Sequence, residues 1–244
     1  MIFPWQEFSD EAEPAPWGET YPAVMPDGRV LRQPIRDYGD VGVAGLIANQ
    51  ASFAVVRALV GFMAAAVADL RAEVVVGLPT LGQVFAPPLA ERLGHSNWVA
   101  PGYTRKRWYE EGLSVAIASS TGPEARRLWL DPRVVERLAG KRVLLVDDVI
   151  STGSSARAGF SLLALVGVRP VGLAVAMDQG GRWRAGFPAD VPVRAGFVTP
   201  LLGRRAVGFA DGPGGAALRW STVMSRGRGC KSSGAQALVI SHDA

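Results

Sequence analysis

Cysteine is almost missing from this 244-residue chain: Cys230 stands alone, and there are only two histidines. A single thiol closes no internal disulfide, so no oxidised framework holds the fold, and a reducing cytosol suits it. With one Cys and two His a dedicated zinc site is not expected, and any metal should be held by oxygens. Also missing is the glycine-rich loop ending in Lys-Ser/Thr that cradles nucleotide phosphates in many hydrolases. There are no internal repeats, and the Pro-rich residues 1–29 are too few for a helix-turn-helix. The first residues carry Glu7, Asp10, Glu11 and Glu13 instead of a basic run before an apolar one, so no secretory leader is expected and the protein should act in the cytoplasm. The one long apolar stretch, residues 41–70, is interrupted by Asn49, Gln50 and Arg57 and contains Gly61. It reads as a buried helix flanking a sheet, with no membrane involved.

What the chain has is a composition suited to a compact α/β protein, 48% hydrophobic with 29 Gly and 17 Pro. The net charge of +4 is accounted for by Arg204, Arg205, Arg219, Arg226, Arg228 and Lys231, set against the single acid Asp211 over 204–231. That segment lacks sustained periodicity and has no interleaved aromatics beyond Trp220, so it reads as a flexible basic tail with no nucleic-acid role. The expected organisation is an extension at 1–29, a main domain at 30–203 and the tail at 204–244.

The most informative run is Val143-Leu144-Leu145-Val146-Asp147-Asp148-Val149-Ile150-Ser151-Thr152-Gly153-Ser154-Ser155. Four apolar residues predict a buried parallel strand, the acids mark its carboxyl end, and a loop of small residues leads into a helical pattern. In open α/β sheets ligands sit beyond the strand carboxyl ends, and a helix N-terminus aims N–H groups at an anion. Gly153 permits a tight turn, while Thr152 and Ser155 add hydroxyl donors. Asp147 and Asp148, as successive strand residues, should point apart, leaving one free to accept from sugar hydroxyls. Taken singly, these residues also fit an ordinary turn and N-cap.

The whole run resembles the phosphoribosyl pyrophosphate (PRPP) binding motif of type I phosphoribosyltransferases. The resemblance implies that Asp147 and Asp148 hold the ribose and a magnesium ion, and that Val149, Ser151, Thr152, Gly153, Ser154 and Ser155 surround the 5′-phosphate. Upstream, Glu73 to Leu78 reads as a second buried strand, followed by Pro79-Thr80-Leu81-Gly82 and a helix from about Gln83 to Leu93. This loop resembles the family's pyrophosphate loop. Trp98-Val99-Ala100 is a short strand candidate, and after it the resemblance assigns Arg105 and Lys106 to diphosphate oxygens, with Arg107 a spare. The small polar stretch from Glu110 to about Leu128, with Ser114, Ser119, Ser120 and Thr121, is either an ordinary hairpin or the family's closing loop.

Within the family the chain looks most like the xanthine/adenine-type purine enzymes, and the region from Val30 through Gln50 is similar to the N-terminal part of xanthine phosphoribosyltransferases, which implies base contacts from Leu31 and Asn49. Asp178-Gln179 stands where an acid and a base-binding lysine are placed, so Gln179 is the third base-binding candidate. The implied fold is α/β, a mainly parallel sheet with helices on both faces and a small hood. The implied activity is transfer of 5-phosphoribosyl from PRPP to a purine-like base in nucleotide salvage, with Mg2+ as cofactor and a homodimer as the usual assembly. The alternative is a PRPP- or nucleotide-sensing protein of the same fold without turnover.

Overall fold

The computed structural model describes residues 4–117 and 126–212. In chain order the strands are β1 (Thr20–Val24), β2 (Val30–Asp37), β3 (Val41–Ala44), β4 (Val74–Gly77), β5 (Ser114–Ala116), β6 (Arg127–Trp129), β7 (Val143–Ile150), β8 (Gly172–Gln179), β9 (Val193–Thr199), β10 (Leu201–Arg204) and β11 (Phe209–Asp211). The helices are α1 (Phe53–Val67), α2 (Gly82–Arg92) and α3 (Ser154–Ala164).

The central sheet is parallel, in the order β4-β7-β8-β9, and Val99 extends it by a parallel bridge to Val76. Strand β7 shows why such a sheet is covered on both sides. Leu144 and Val146 enter one apolar core with α1 and α2, while Val143 and Leu145 enter a second with α3 and the β5–β6 hairpin. Helices therefore lie on both faces, as the sequence implied. Close packing at two glycines sets the layer spacing. A Cβ on Gly77 would collide with Ala86 of α2, and one on Gly159 of α3 would come within 2.8 Å of the Leu145 side chain.

The apolar stretch 41–70 is not one helix. Its first residues form β3, a short turn spans Ala48–Gln50, and α1 begins only after Ser52, whose hydroxyl accepts from the Val55 N–H at 3.2 Å. The span Phe53–Leu70 is long and apolar enough to cross a membrane by length and composition. Its residues Val55, Val56, Leu59, Val60, Met63, Ala64 and Val67 are buried at helical spacing, and α1 packs on β8, β9 and α2.

A second sheet, antiparallel in the order β1-β2-β3-β10-β11, forms the hood. The expected boundaries at 29/30 and 203/204 both cut it. Residues Thr20–Val24 pair with β2, and β10 continues into Arg204 before β11 closes the edge. The cause is burial. Ala23 lies wholly inside, and the Phe209 ring is so close to Gly42 that a Cβ there would sit 2.7 Å from it. Arg204, expected in a tail, ion-pairs with Asp37 and stacks over Phe209 at 4.7 Å. Arg219, Trp220, Arg226, Arg228, Cys230 and Lys231 lie outside the described residues.

Candidate active site

Strand β7 does not stop at its acids. It runs on to Ile150, pairing Asp147 with Val175, Val149 with Met177 and Ile150 with Asp178. Asp147 is therefore walled in, 7% exposed, while Asp148 is half-buried. The two carboxyl groups are near enough to act on each other. Burial, then the neighbouring Asp148 charge, pushes Asp147 well above the usual carboxylate range. Burial also raises Asp148, opposed by its hydrogen bonds. An Asp147 carboxyl oxygen accepts from the Asp148 N–H at 3.0 Å. The pair is thus an acid half-sealed in the protein, with Asp148 the more accessible member.

The loop of Pro79, Thr80, Leu81 and Gly82 lies directly against this pair. The Leu78 N–H donates to Val146 O at 2.8 Å, and a Cβ on Gly82 would fall 2.8 Å from Asp147 Cα and 2.9 Å from its Oδ1. Gly82 is also the first residue of α2, one residue ahead of the expected start, so unpaired helix N–H groups open beside the acids. The Pro79–Thr80 peptide is cis, and Thr80 is exposed. Two side chains that the sequence reading passed over tether this loop. Gln83 donates to Gly77 O at 3.3 Å and to Pro101 O at 2.7 Å, and the Tyr103 hydroxyl donates to Pro79 O at 2.7 Å. Burial raises the Tyr103 pKa, and the Asp147 and Asp148 charges raise it further. For the transfer reaction that the resemblance implies, Tyr103→Phe is expected to raise the KM for PRPP about threefold to tenfold, the worth of one hydrogen bond, with a smaller effect on kcat. Steady-state kinetics at saturating base checks this.

The cationic cluster is arranged differently from the expectation. Arg105 forms an ion pair with Glu111 and lies 5.4 Å over the Trp129 ring. Lys106 and Arg107 are exposed. A further guanidinium, that of Arg126, lies 4.4 Å over the ring of Tyr103, whose hydroxyl holds the Pro79 carbonyl. Only the pairing of β5 with β6 brings it there, so no local pattern marks it. Ser114 is buried and its hydroxyl accepts from Arg127 at 2.7 Å. Ser119, Ser120 and Thr121 of the closing-loop reading lie outside the described residues.

The second loop follows the motif closely. Val149 packs at the edge of the α1–α2 core, and Gly153 takes φ +76°, a left-handed conformation that disfavours a side chain. Ser151, Ser154 and Ser155 are half-buried, Thr152 is exposed, and its hydroxyl donates to Ser154 Oγ at 3.4 Å. Helix α3 starts at Ser154 with no side-chain cap, leaving its first amides open. Arg182, also unforeseen, donates to Ser151 Oγ at 2.8 Å.

The three base-binding candidates do not converge. Leu31 is wholly enclosed in the α1–α2 core, Asn49 is exposed in the turn before α1, and the Gln179 amide donates to Ala44 O at 2.6 Å, tying the sheet to the hood. On the hood strand beside Leu31, Gln33 is wholly buried, and neither of its amide atoms has a partner among the described residues. The same holds for the hydroxyl of buried Thr199, which pairs with Gln179 across β8 and β9. A buried amide without partners costs about 1–3 kcal/mol. Gln33→Leu is accordingly expected to raise the melting temperature by a few degrees, read by a thermal melt.

Two helix N-termini without side-chain caps and an acid pair, gathered at the carboxyl edge of a parallel sheet under an antiparallel hood, suit a protein that handles a phosphorylated sugar. The chain belongs to the phosphoribosyltransferase family: the family model described as the phosphoribosyl transferase domain matches residues 43–186. It is 35% identical over 179 residues to an adenine phosphoribosyltransferase of Frankia casuarinae, spanning 66% of this chain and 87% of that one. A second relative, the adenine phosphoribosyltransferase of Kineococcus radiotolerans, is 35% identical over 164 residues, spanning 63% of this chain and 78% of that one. Among solved structures, that of adenine phosphoribosyltransferase from Thermoanaerobacter pseudethanolicus shares the fold, with a TM-score of 0.55 at 19% identity over 68% of this chain and 95% of that one. The corresponding enzyme from Rhodothermus marinus gives 0.53 at 22% identity, over 68% and 94%.

Proposed function

We propose that this protein transfers the 5-phosphoribosyl group of PRPP to a purine base, releasing pyrophosphate, as an enzyme of nucleotide salvage in the cytoplasm. The observation that carries the reading is the contact of Gly82 with Asp147, which joins the pyrophosphate loop to the acidic pair. Relatives named as adenine phosphoribosyltransferases support a purine as acceptor, with adenine the first base to try.

Each residue then has a task that follows from its position. The open amides of α2 and the Pro79 to Gly82 loop bind the diphosphate, assisted by Arg126 and by Arg105 and Lys106. Ser151 to Ser155 and the first turn of α3 bind the 5′-phosphate, and Asp148 accepts from the ribose hydroxyls. Holding both ends of PRPP fixes the anomeric carbon, so the barrier falls by orientation and by stabilising the charge that gathers on the departing pyrophosphate. The donors here suit magnesium. Among the described residues no three acidic, His or Cys side chains meet as a cage, yet two adjacent carboxylates and diphosphate oxygens match an ion that keeps several waters. Asp147 and Asp148 would hold it, and when bound it would neutralise charge on the leaving pyrophosphate. On the base side we assign Asn49 as a contact and Leu31 and Gln179 as the packing and hydrogen bond that shape the hood over the sheet.

The test is pyrophosphate release from PRPP with magnesium and, in turn, adenine, hypoxanthine, guanine and xanthine. Release with at least one base is expected. Tight PRPP binding by calorimetry without release in the presence of any of the four would overturn transfer and favour a sensor.

A further inference from the structure

The segment that follows β8 leads away from the hood and folds over the phosphate loop instead. Gly180 and Gly181 both have positive φ, +67° and +65°, and turn the chain back immediately after Gln179. Asp178, 2% exposed, then anchors the turn by accepting from Trp183 Nε1 at 2.8 Å and from Arg184 at 3.2 Å. Trp183 meets Phe187 edge-on at 5.5 Å, and Phe187 meets Phe160 of α3 in the same way at 5.5 Å. The turn is thereby fixed to the helix whose N-terminus is the phosphate loop.

Between Trp183 and its anchor, Arg182 is left facing Ser151, to whose hydroxyl it donates at 2.8 Å. A second guanidinium comes from α3 itself. A Cβ on Gly153 would meet Arg157 Nη1 at 3.1 Å and Trp183 Cβ at 3.3 Å, so Arg157 and the turn flank the same glycine. Neither Arg157 nor Arg182 has a carboxylate partner among the described residues, whereas Arg184, two residues on, does. The arrangement is wrong for a helix standing alone. The first turn of α3 contains no acid and Gly153 supplies no side-chain cap, while Arg157, one turn in, brings its guanidinium toward the positive end of the dipole. One guanidinium beside Gly153, a second on Ser151 of the same short loop, and the open amides that follow make sense together with an anion carrying two charges.

We propose that Arg157 and Arg182 bind the 5′-phosphate directly, adding side-chain charge to a subsite otherwise built from amides and hydroxyls. The turn after β8 thus serves the phosphate end of the donor, and the pair makes the enzyme select sugars bearing a 5′-phosphate dianion. This rests on the proposed transfer from PRPP, but its test separates the two.

Arg157→Ala, Arg182→Ala and Arg182→Lys are compared in two assays. In calorimetry, ribose 5-phosphate and the nucleoside 5′-monophosphate of the accepted base are expected to bind each alanine variant about tenfold more weakly, the worth of one charge-assisted hydrogen bond. Binding of the corresponding nucleoside, which lacks the phosphate, is expected to change less than twofold. In kinetics the KM for PRPP rises by a similar factor with a smaller fall in kcat, and Arg182→Lys recovers part of the loss because charge returns without the planar fork. Unchanged affinity for ribose 5-phosphate in both alanine variants overturns the proposal. So does an equal loss for nucleoside and nucleotide, the signature of a merely structural effect. If no base supports turnover but the phosphate-dependent loss is seen, transfer fails and this subsite stands.

Discussion

Asparagine at both Asp147 and Asp148 is expected to lower pyrophosphate release by at least about 10³-fold while leaving the protein folded. The loss follows from removing the acidic pair at the reacting sugar, where one well-placed electrostatic contact is worth about 10²–10³ in rate. Stability should move the other way. Burial and the adjacent charge push the Asp147 pKa up, so the ionised form is disfavoured in the fold, and a neutral amide removes that penalty. The melting temperature at neutral pH is therefore expected to stay level or rise. The single variants should differ. Asp147→Asn retains an oxygen to accept from the Asp148 N–H and lies sealed behind Gly82, whereas Asp148→Asn alters the half-buried, accessible carboxylate. Most of the loss is expected from Asp148→Asn. Turnover of the double variant within tenfold of the parent would remove the assignment.

Gly82→Ala is the second large effect. Its Cβ would stand 2.8 Å from Asp147 Cα and 3.0 Å from Val146 O, both backbone atoms that no rotamer change can move. Helix α2 must therefore retreat from β7, carrying its N-terminal amides off the acidic pair. Overpacking of this kind costs about 1–3 kcal/mol, and a displacement near 1 Å at a reacting centre costs about 10²-fold in rate. A thermal melt should show the first and steady-state turnover the second, with the KM for PRPP raised. Gly112→Ala is the control, because a Cβ there meets nothing within 4 Å. It is expected to change stability by less than about 0.5 kcal/mol.

The residues behind these two effects were unequally visible in the sequence. The apolar-acid-acid run and the Pro79 to Gly82 turn are local strings, each a strand end followed by a helix start, and such strings encode their backbone through short-range sterics and turn chemistry. The parallel sheet, its flanking helices and both loops could therefore be read directly. Arg126 could not, because its place over Tyr103 depends on how β5 and β6 pair. Arg105, in the cluster that looked the part, is paired with Glu111, a choice made by geometry among several nearby cations and acids. The hood edge escaped for a related reason. Phe209 sits in a Gly-rich basic stretch whose composition suggests a loose tail, and only the space above Gly42 makes it a core residue.

By itself, the sequence determined that this chain is an α/β phosphoribosyltransferase with two strand-end loops leading into helices and an acidic pair, because those features live within single βα units. Tertiary structure alone decided how the units meet: Asp147 sealed under Gly82 beside Asp148, Gln179 tying the hood to the sheet, and the turn after β8 delivering Arg182 to Ser151. Each of these joins residues far apart in the chain, and their contact depends on the packed positions of whole strands and helices, which no local pattern of residues specifies.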